Sequence, residues 1–204
     1  MVRGGKSGTA PTVEYGADSS GHALAMASND FPAARASRPH MPGYGIVGPE
    51  AGSGLLPWSW AHDRLGASHD FWLATVRPDG RPHLMPVWAV WNGESLWFSS
   101  ARGSRKAINL RGHPRCSIAT DNAYEPVIVE GDAVEVTDEE QLRHALDLEN
   151  QKYDTDYGDE MIDTAHNSWF RLRPVVVFSL AENDFTGSPT RWSFAPSDTS
   201  GARE

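Results

Sequence analysis

The chain has 204 residues, a formal net charge of −9 and 39% hydrophobic residues, a size that allows one ordinary domain with an appendage or two very small ones. The negative balance excludes a general attraction to nucleic acid or anionic membrane, and the single cysteine, Cys116, excludes an internal disulfide and fits a reducing compartment. The sequence carries no run of about 18 apolar residues and no apolar secretory core at its N-terminus, so a soluble, cytoplasmic protein is expected.

Residues 1–54 are rich in Gly, Ala, Ser and Pro, set Arg3, Lys6, Arg35 and Arg38 against Glu14, Asp18, Asp30 and Glu50, and show no sustained periodicity. Such a segment buries too little apolar surface to offset chain entropy. A disordered or extended tail is expected over 1–54, a folded body over 55–196 and a flexible C-terminus over 197–204. The body opens with "LPWSWAHDRLGAS", where Pro57 starts a short helix and Trp58, Ala61 and Leu65 share one face. "FWLATV", the Asp79-Gly80 turn and "HLMPVWAVW" read as a hairpin, and Asn92-Gly93 turns the chain into "SLWFSS". Three strands then meander from Phe71 to Ser100. In the second of them Met85, Val87, Ala89 and Trp91 alternate with Leu84, Pro86, Trp88 and Val90, which suggests burial on both faces.

Ser104 can cap a short helix through Leu110 that Gly112 and Pro114 end, and "CSIAT" and "PVIVEGDAVEV" return to strand with a bend at Gly131. Thr137 and Glu140 form a capping box for the helix "DEEQLRHALDLENQKY". Thirteen acids and only Arg143 and Lys152 lie between Glu130 and Asp163, a pattern expected of a solvated helix and loop. "WFRLRP", "VVVFSL" and "TRWSF" close the chain with strand. Hairpin-linked strands outnumber helices about two to one, so the expected fold is mainly β with covering helices, an antiparallel barrel.

Within this acidic chain "SSARGSRKAINLRGHPR", residues 99–115, holds five basic residues and no acid. A strand ending in Ser99 and Ser100, a loop with Arg102 and Gly103, and a Ser104-capped helix opening on Arg105 and Lys106 form a sound phosphate site. Hydroxyls and free N–H groups at the helix start donate hydrogen bonds, and the helix dipole favours negative charge. The competing explanation is a basic helix surface pairing with the acidic 130–163 region, and Arg111 and Arg115, beyond the cap, suit that better.

The succession "ATVRPDGRPHLMPVW", "LWFSS", "SRKAINL" and "VIVEG" resembles the flavin/deazaflavin oxidoreductase branch of the pyridoxamine 5′-phosphate oxidase-like split β-barrel proteins, over roughly Leu55 to Phe194. The resemblance implies a homodimer with a cofactor groove at the subunit interface. The cofactor phosphate would be held by Ser99, Ser100, Arg105 and Lys106 with the capping Ser104, and the ring would lie on Met85, Pro86, Val87 and Trp88. The closing "TRWSF" resembles the family's C-terminal strand, so Arg191 and Trp192 would border the groove, unless Trp192 is only a core or dimer-contact aromatic. The substrate-phosphate residues of the vitamin B6 oxidase do not map onto "TGSPTRWSFAP", so oxidation of pyridoxamine phosphate is not expected.

Coenzyme F420 and FMN share a ring and a phosphate, and F420 adds an anionic lactyl-glutamate tail. Arg77 and Arg81, flanking the Asp79-Gly80 turn, could receive that tail, or could be two solvated turn arginines. The "LPWSW" opening and the hairpin tilt the resemblance to an F420-dependent oxidoreductase that transfers hydride between the reduced deazaflavin and an electron-poor double bond of a conjugated small molecule. An FMN-dependent oxidoreductase and a non-catalytic cofactor- or haem-binding protein remain open. No catalytic acid stands out. His83 reads as a hairpin-end side chain, and the other histidines lack metal-ligand spacing, so no metal site is expected.

Overall fold

The β-branched and aromatic segments form ten strands among residues 34–194, which the computed structural model describes. They are β1 (Arg35–Ser37), β2 (Asp70–Val76), β3 (Pro82–Trp88), β4 (Val90–Trp91), β5 (Leu96–Ala101), β6 (Arg115–Thr120), β7 (Val127–Val136), β8 (Asn167–Leu172), β9 (Val176–Ser179) and β10 (Thr190–Ser193). Three helices accompany them: α1 (Trp58–Ala67), α2 (Arg105–Gly112) and α3 (Glu139–Tyr153). One antiparallel path runs β1-β10-β9-β7-β6-β2-β3, and a second runs β4-β5-β8-β7. No helix among the described residues is long and apolar enough to cross a membrane.

Strand β7 belongs to both paths. Its residues Val127–Glu130 pair with β9, and from Ala133 onward it pairs with β8. Between the two lies Gly131, opposite Cys116 on β6. A Cβ at Gly131 would collide with the Arg173 carbonyl oxygen and touch Leu172 Cδ1, so the partner exchange requires a residue with no side chain. The bend expected at Gly131 is this exchange.

The hairpin of β2 and β3 turns through Asp79-Gly80, with Gly80 at φ +83° and Arg77 N–H donating to the Arg81 carbonyl. The expected continuous second strand is corrected, because it breaks at Ala89. β3 stays with β2, while β4 crosses to β5. The cause lies in α3: Tyr153 Oη accepts from Ala89 N–H at 2.9 Å, and Lys152 Nζ donates to the Ala89 carbonyl at 2.8 Å. These contacts occupy the backbone groups a sheet ladder would use.

Helix α2 is capped as expected, Ser104 Oγ accepting from Ala107 N–H. Helix α3 begins one residue later than the Thr137–Glu140 box implies, because the Asp138 carboxylate accepts from Gln141 N–H at 3.0 Å. A carboxylate in the positive field of a helix start outcompetes a hydroxyl. The tail boundary at 54 also moves. β1 pairs with β10, and Arg38 donates to the carbonyls of Pro189, Gly48 and Ala51. Strand pairing, the Arg38 guanidinium and the Ser53–Asp184 hydrogen bonds, none of which leaves a hydrophobic period, hold residues 34–54 to the body. Expectations for residues 1–33 and 195–204 lie outside the described residues.

Phe71, Leu73, Phe98, Ile118, Val129, Phe170 and Leu172 fill the main core, with Trp58 edge-on to Trp192 and Phe194 at one end. A second cluster joins α3 to β4, β5 and β8 through Leu142, Leu146, Trp97 and Trp169. The two-sided burial expected of β3 does not occur within the chain: Val87 is buried, but Leu84 is 57% exposed. Across the β2–β3 ladder Trp72, 44% exposed, lies opposite Pro86 on the same open face.

Gly131→Ala should lower stability by about 1–3 kcal/mol, the scale of overpacking against fixed backbone. Urea unfolding of the two chains compares them directly.

Candidate functional site

The end of β5 and the start of α2 form a polar corner. Ser100 is buried, and its Oγ lies 2.7 Å from Ser104 Oγ, joining strand end to helix cap. Ser99, paired with Trp169 of β8, stays partly exposed. No acid occupies the first turn of α2, which instead carries Arg105 and the half-buried Lys106. Burial lowers the Lys106 pKa, so the ammonium is held short of solvent rather than projected into it.

Asn109 fastens this helix to the hairpin. Its buried Nδ2 donates to Thr75 Oγ1 on β2 at 3.0 Å. Arg105 lies four residues earlier on the same helical face, and Thr75 is opposite His83 in the β2–β3 register. The His83 pKa is lowered, first by burial and then by the positive charges of Arg77, Lys106 and Arg105. The charges of all three are thus felt at His83, and that of Arg77 is felt at Asp79 as well. None of the three forms an ion pair within 4.0 Å of a carboxylate among the described residues.

The other basic residues of the segment are consumed. Glu135 on β7 lies 3.3 Å from Arg102 and 3.6 Å from Arg111, and accepts from Ser168 Oγ at 2.6 Å. Arg111 also donates to Ser168 Oγ and to the Arg102 carbonyl. Arg115 sits 3.9 Å from Asp132. Arg102, Arg111 and Arg115 pair with the acidic region, as the charge-pairing explanation expects, whereas Arg105 and Lys106 form no ion pair among the described residues. Arg81 folds onto Asp79, with hydrogen bonds of 2.9 and 2.7 Å, while the Arg77 charge is felt at both Asp79 and His83.

Met85, Pro86, Val87 and Trp88 lie on β3, which among the described residues is hydrogen-bonded only to β2 and so ends the sheet path there. Met85 is 43% exposed. Trp88 stacks on Tyr153, with centroids 4.3 Å apart and planes 6° from parallel. Tyr153 Oη also donates to the His69 carbonyl, and Lys152 sits over Phe71 at 4.8 Å. Burial pushes the Lys152 ammonium down to about 8 and the neighbouring Glu149 carboxyl up to about 7. Sequence reasoning missed Lys152, Tyr153 and Glu149, because their role comes from where the end of α3 docks. It also missed Asn109 and Thr75, whose link crosses from helix to strand.

Of the C-terminal pair, Trp192 is 1% exposed in the core against Trp58, the core position that the sequence left open for it. Arg191 lies on the outer sheet face and donates to Ser193 Oγ, with β9, β7, β6 and β2 between its strand and β3. Concavities of about 300 and 540 Å³ occur near Asp121, Glu125 and Glu182, whose charge is wrong for a phosphate. Among the described residues no cluster of three or more His, Cys, Asp or Glu could hold a metal. The Cys116 thiol, buried, is pushed up to about 12 and is no nucleophile at neutral pH.

Two outcomes follow from this geometry. Arg111→Ala should lower stability by about 1 kcal/mol through loss of its Glu135 and Ser168 contacts, yet leave FMN affinity within about twofold of the parent, measured by fluorescence titration. Glu149, whose folded pKa is raised, contributes stability that is fully present below its ordinary value of 4.5 and is lost as pH rises through about 7. Denaturant titrations from pH 4 to pH 8 should therefore show a decline on the order of 2 kcal/mol that Glu149→Gln abolishes.

Comparison with known proteins gives the geometry its context. Residues 61–181, which span β2 to β9 and include α2, match the family model described as pyridoxamine 5′-phosphate oxidase. Among solved structures, a conserved hypothetical protein from Mycobacterium tuberculosis is 26% identical, the match covering 78% of this chain and 95% of that one with a TM-score of 0.55. An F420 reductase is 30% identical over 55% of this chain and 91% of its own, with a TM-score of 0.47. A protein of unknown function from Agrobacterium tumefaciens is 18% identical over 67% of this chain and 62% of its own, with a TM-score of 0.54. No curated protein matches significantly. With its antiparallel split barrel and its family match through the β5–α2 corner, the chain belongs to the pyridoxamine 5′-phosphate oxidase family of flavin-type oxidoreductases.

Proposed function

We propose that the protein is an oxidoreductase that binds coenzyme F420 and transfers hydride between the reduced deazaflavin and an electron-poor double bond of a conjugated small molecule. The observation that carries the reading is the pair of cations without an ion-pair partner among the described residues, Arg105 and Lys106, in the first turn of α2 beside the Ser100 and Ser104 hydroxyls. Two cations without carboxylates favour an anion there, and a phosphate dianion satisfies both their charge and the free N–H groups of the first helical turn. These residues fit the phosphate of a flavin or deazaflavin.

When bound, such a ring supplies hydride chemistry. The chain supplies position: β3, which ends the sheet path among the described residues, carries Met85, Pro86 and Val87, and Trp88 is held by its stack on Tyr153. No residue here is assigned as proton donor, and solvent suffices for the proton that accompanies hydride addition. FMN is the second reading, favoured by the Arg81–Asp79 pair, which leaves Arg77 alone to meet a glutamate tail.

The exposed sheet face of Trp72, Leu84 and Pro86 is wider than isolated apolar residues account for. We take it as the surface of a homodimer whose second copy closes the cofactor groove. Sedimentation equilibrium should return the mass of two chains, and Leu84→Asp should shift it toward one.

Absorbance and fluorescence titrations with FMN and F420 test the site itself. Arg105→Ala and Lys106→Ala should each weaken both ligands by about 1.5–3 kcal/mol, the scale of a charge-assisted hydrogen bond. Arg77→Ala should weaken F420 alone by roughly 0.5–1 kcal/mol, and Arg81→Ala should change neither ligand. Tighter binding of FMN than of F420 at low salt would give the flavin first place.

A further inference from the structure

Helix α2 is tied to both sheet paths, by different groups. Its cap Ser104 lies 2.7 Å from Ser100 Oγ at the end of β5, and Arg111 in its last turn donates to Ser168 Oγ on β8 at 3.1 Å. Both partners belong to the path β4-β5-β8-β7. The hairpin of β2 and β3 belongs to the other path. Among the described residues the hydrogen bond that joins α2 to this hairpin runs from Asn109 Nδ2 to Thr75 Oγ1, at 3.0 Å. The same hydroxyl reaches on to β3, where it lies 3.4 Å from His83 Nδ1.

Both members of the link are buried, Asn109 at 1% and Thr75 at 2% exposure. Ala107 and Leu110 of the same helix pack in the core, but apolar contact is non-directional and does not by itself fix how α2 is turned. A hydrogen bond between buried groups does fix it. The link also carries a cost, because Asn109 Oδ1 is buried and accepts no hydrogen bond from the described residues. A leucine at this position would fill the core without that cost. What the amide adds is orientation: Arg105 lies four residues earlier on the same helical face, and Lys106 follows it.

Two ends of one ligand meet this arrangement at once. A phosphate at Arg105 and Lys106 is covalently joined to a ring on Met85 to Trp88, so one contact strengthens the other only when α2 and β3 stand at the ligand's own spacing. We propose that Asn109 is a positioning residue: through Thr75 it fixes the first turn of α2 against the hairpin and so sets the separation between the phosphate end and the ring end of the cofactor site. The inference rests on the phosphate reading of Arg105 and Lys106 and on the ring reading of β3. It goes beyond them by assigning the spacing of the site to a buried pair.

Thr75→Val and Asn109→Leu, made together, remove both polar groups and leave apolar side chains of similar size, so the double variant should match or exceed the wild type in urea unfolding. Its affinity for FMN, measured by fluorescence titration of the full chain, should nonetheless fall about tenfold, the upper scale of one net hydrogen bond. Thr75→Ser, which keeps the hydroxyl, should bind FMN as the wild type does. Arg105→Ala should cost the double variant less affinity than it costs the wild type, because the guanidinium no longer stands at the phosphate. Unchanged FMN affinity in the double variant, or Arg105→Ala losses that add in full, would overturn the positioning role and leave the phosphate site standing. Stability and affinity falling together would overturn it as well, the pair then serving the fold alone. Wild-type affinity for both FMN and F420 that is insensitive to Arg105→Ala and Lys106→Ala, or failure to bind either ligand, would overturn the site and the proposal with it.

Discussion

Among the described residues β7 is the strand on which both halves of the barrel depend. It is hydrogen-bonded to β6 and β9 in one path and to β8 in the other, and it can serve both only because the backbone at Gly131 accepts the Arg173 carbonyl in direct contact. A side chain there would separate the strands at the point where one ladder hands over to the next. The rest of the site is referred to this strand, since β8 carries Ser168, β6 leads to the hairpin through β2, and β7 itself carries Glu135.

Glu135 shows how one carboxylate divides a basic cluster into two functions. Placed four residues beyond Gly131, it reaches Arg102, Arg111 and Ser168 at once. Those contacts neutralise the loop before α2 and the last turn of the helix, so the helix is held at both ends while its first turn remains uncompensated. A second Glu near Arg105 would have cancelled the site. The acids of α3 other than the buried Glu149 are turned to solvent, Glu139 pairing there with Arg143, which also pairs with Asp159.

The strand proposed to meet the cofactor ring is set by a different device. Tyr153 and Lys152 take the main-chain groups of Ala89, ending β3 where Trp88 can stack on Tyr153. The buried Glu149 behind them makes this docking sensitive to pH. The residues proposed for ring support and for phosphate capture sit by separate helices, α3 and α2, both of which adjoin the β2–β3 hairpin and β5.

The sequence alone determined what depends on local chemistry. The Asp79-Gly80 turn, the Ser104 cap, the alternation of the strands and the unacidic run from Ser99 to Arg115 are all properties of neighbouring residues, and they led to the barrel class and to Arg105 and Lys106. What only the tertiary structure decided depends on groups far apart in the chain. The break at Ala89 is made by Tyr153, 64 residues away, and the joining of residues 34–54 to the body is made by strand pairing and by polar contacts of Arg38 and Ser53 that leave no hydrophobic period. Arg102 and Arg105 cannot be told apart by spacing, because the difference is a carboxylate on β7. The sequence of "TRWSF" fits a groove or a core position for Trp192 equally, and its burial against Trp58 is a tertiary property. Local sequence specifies which hydrogen bonds and charges a segment can offer, but only the packed chain settles which are already taken, and in this protein the candidate site consists of those that remain.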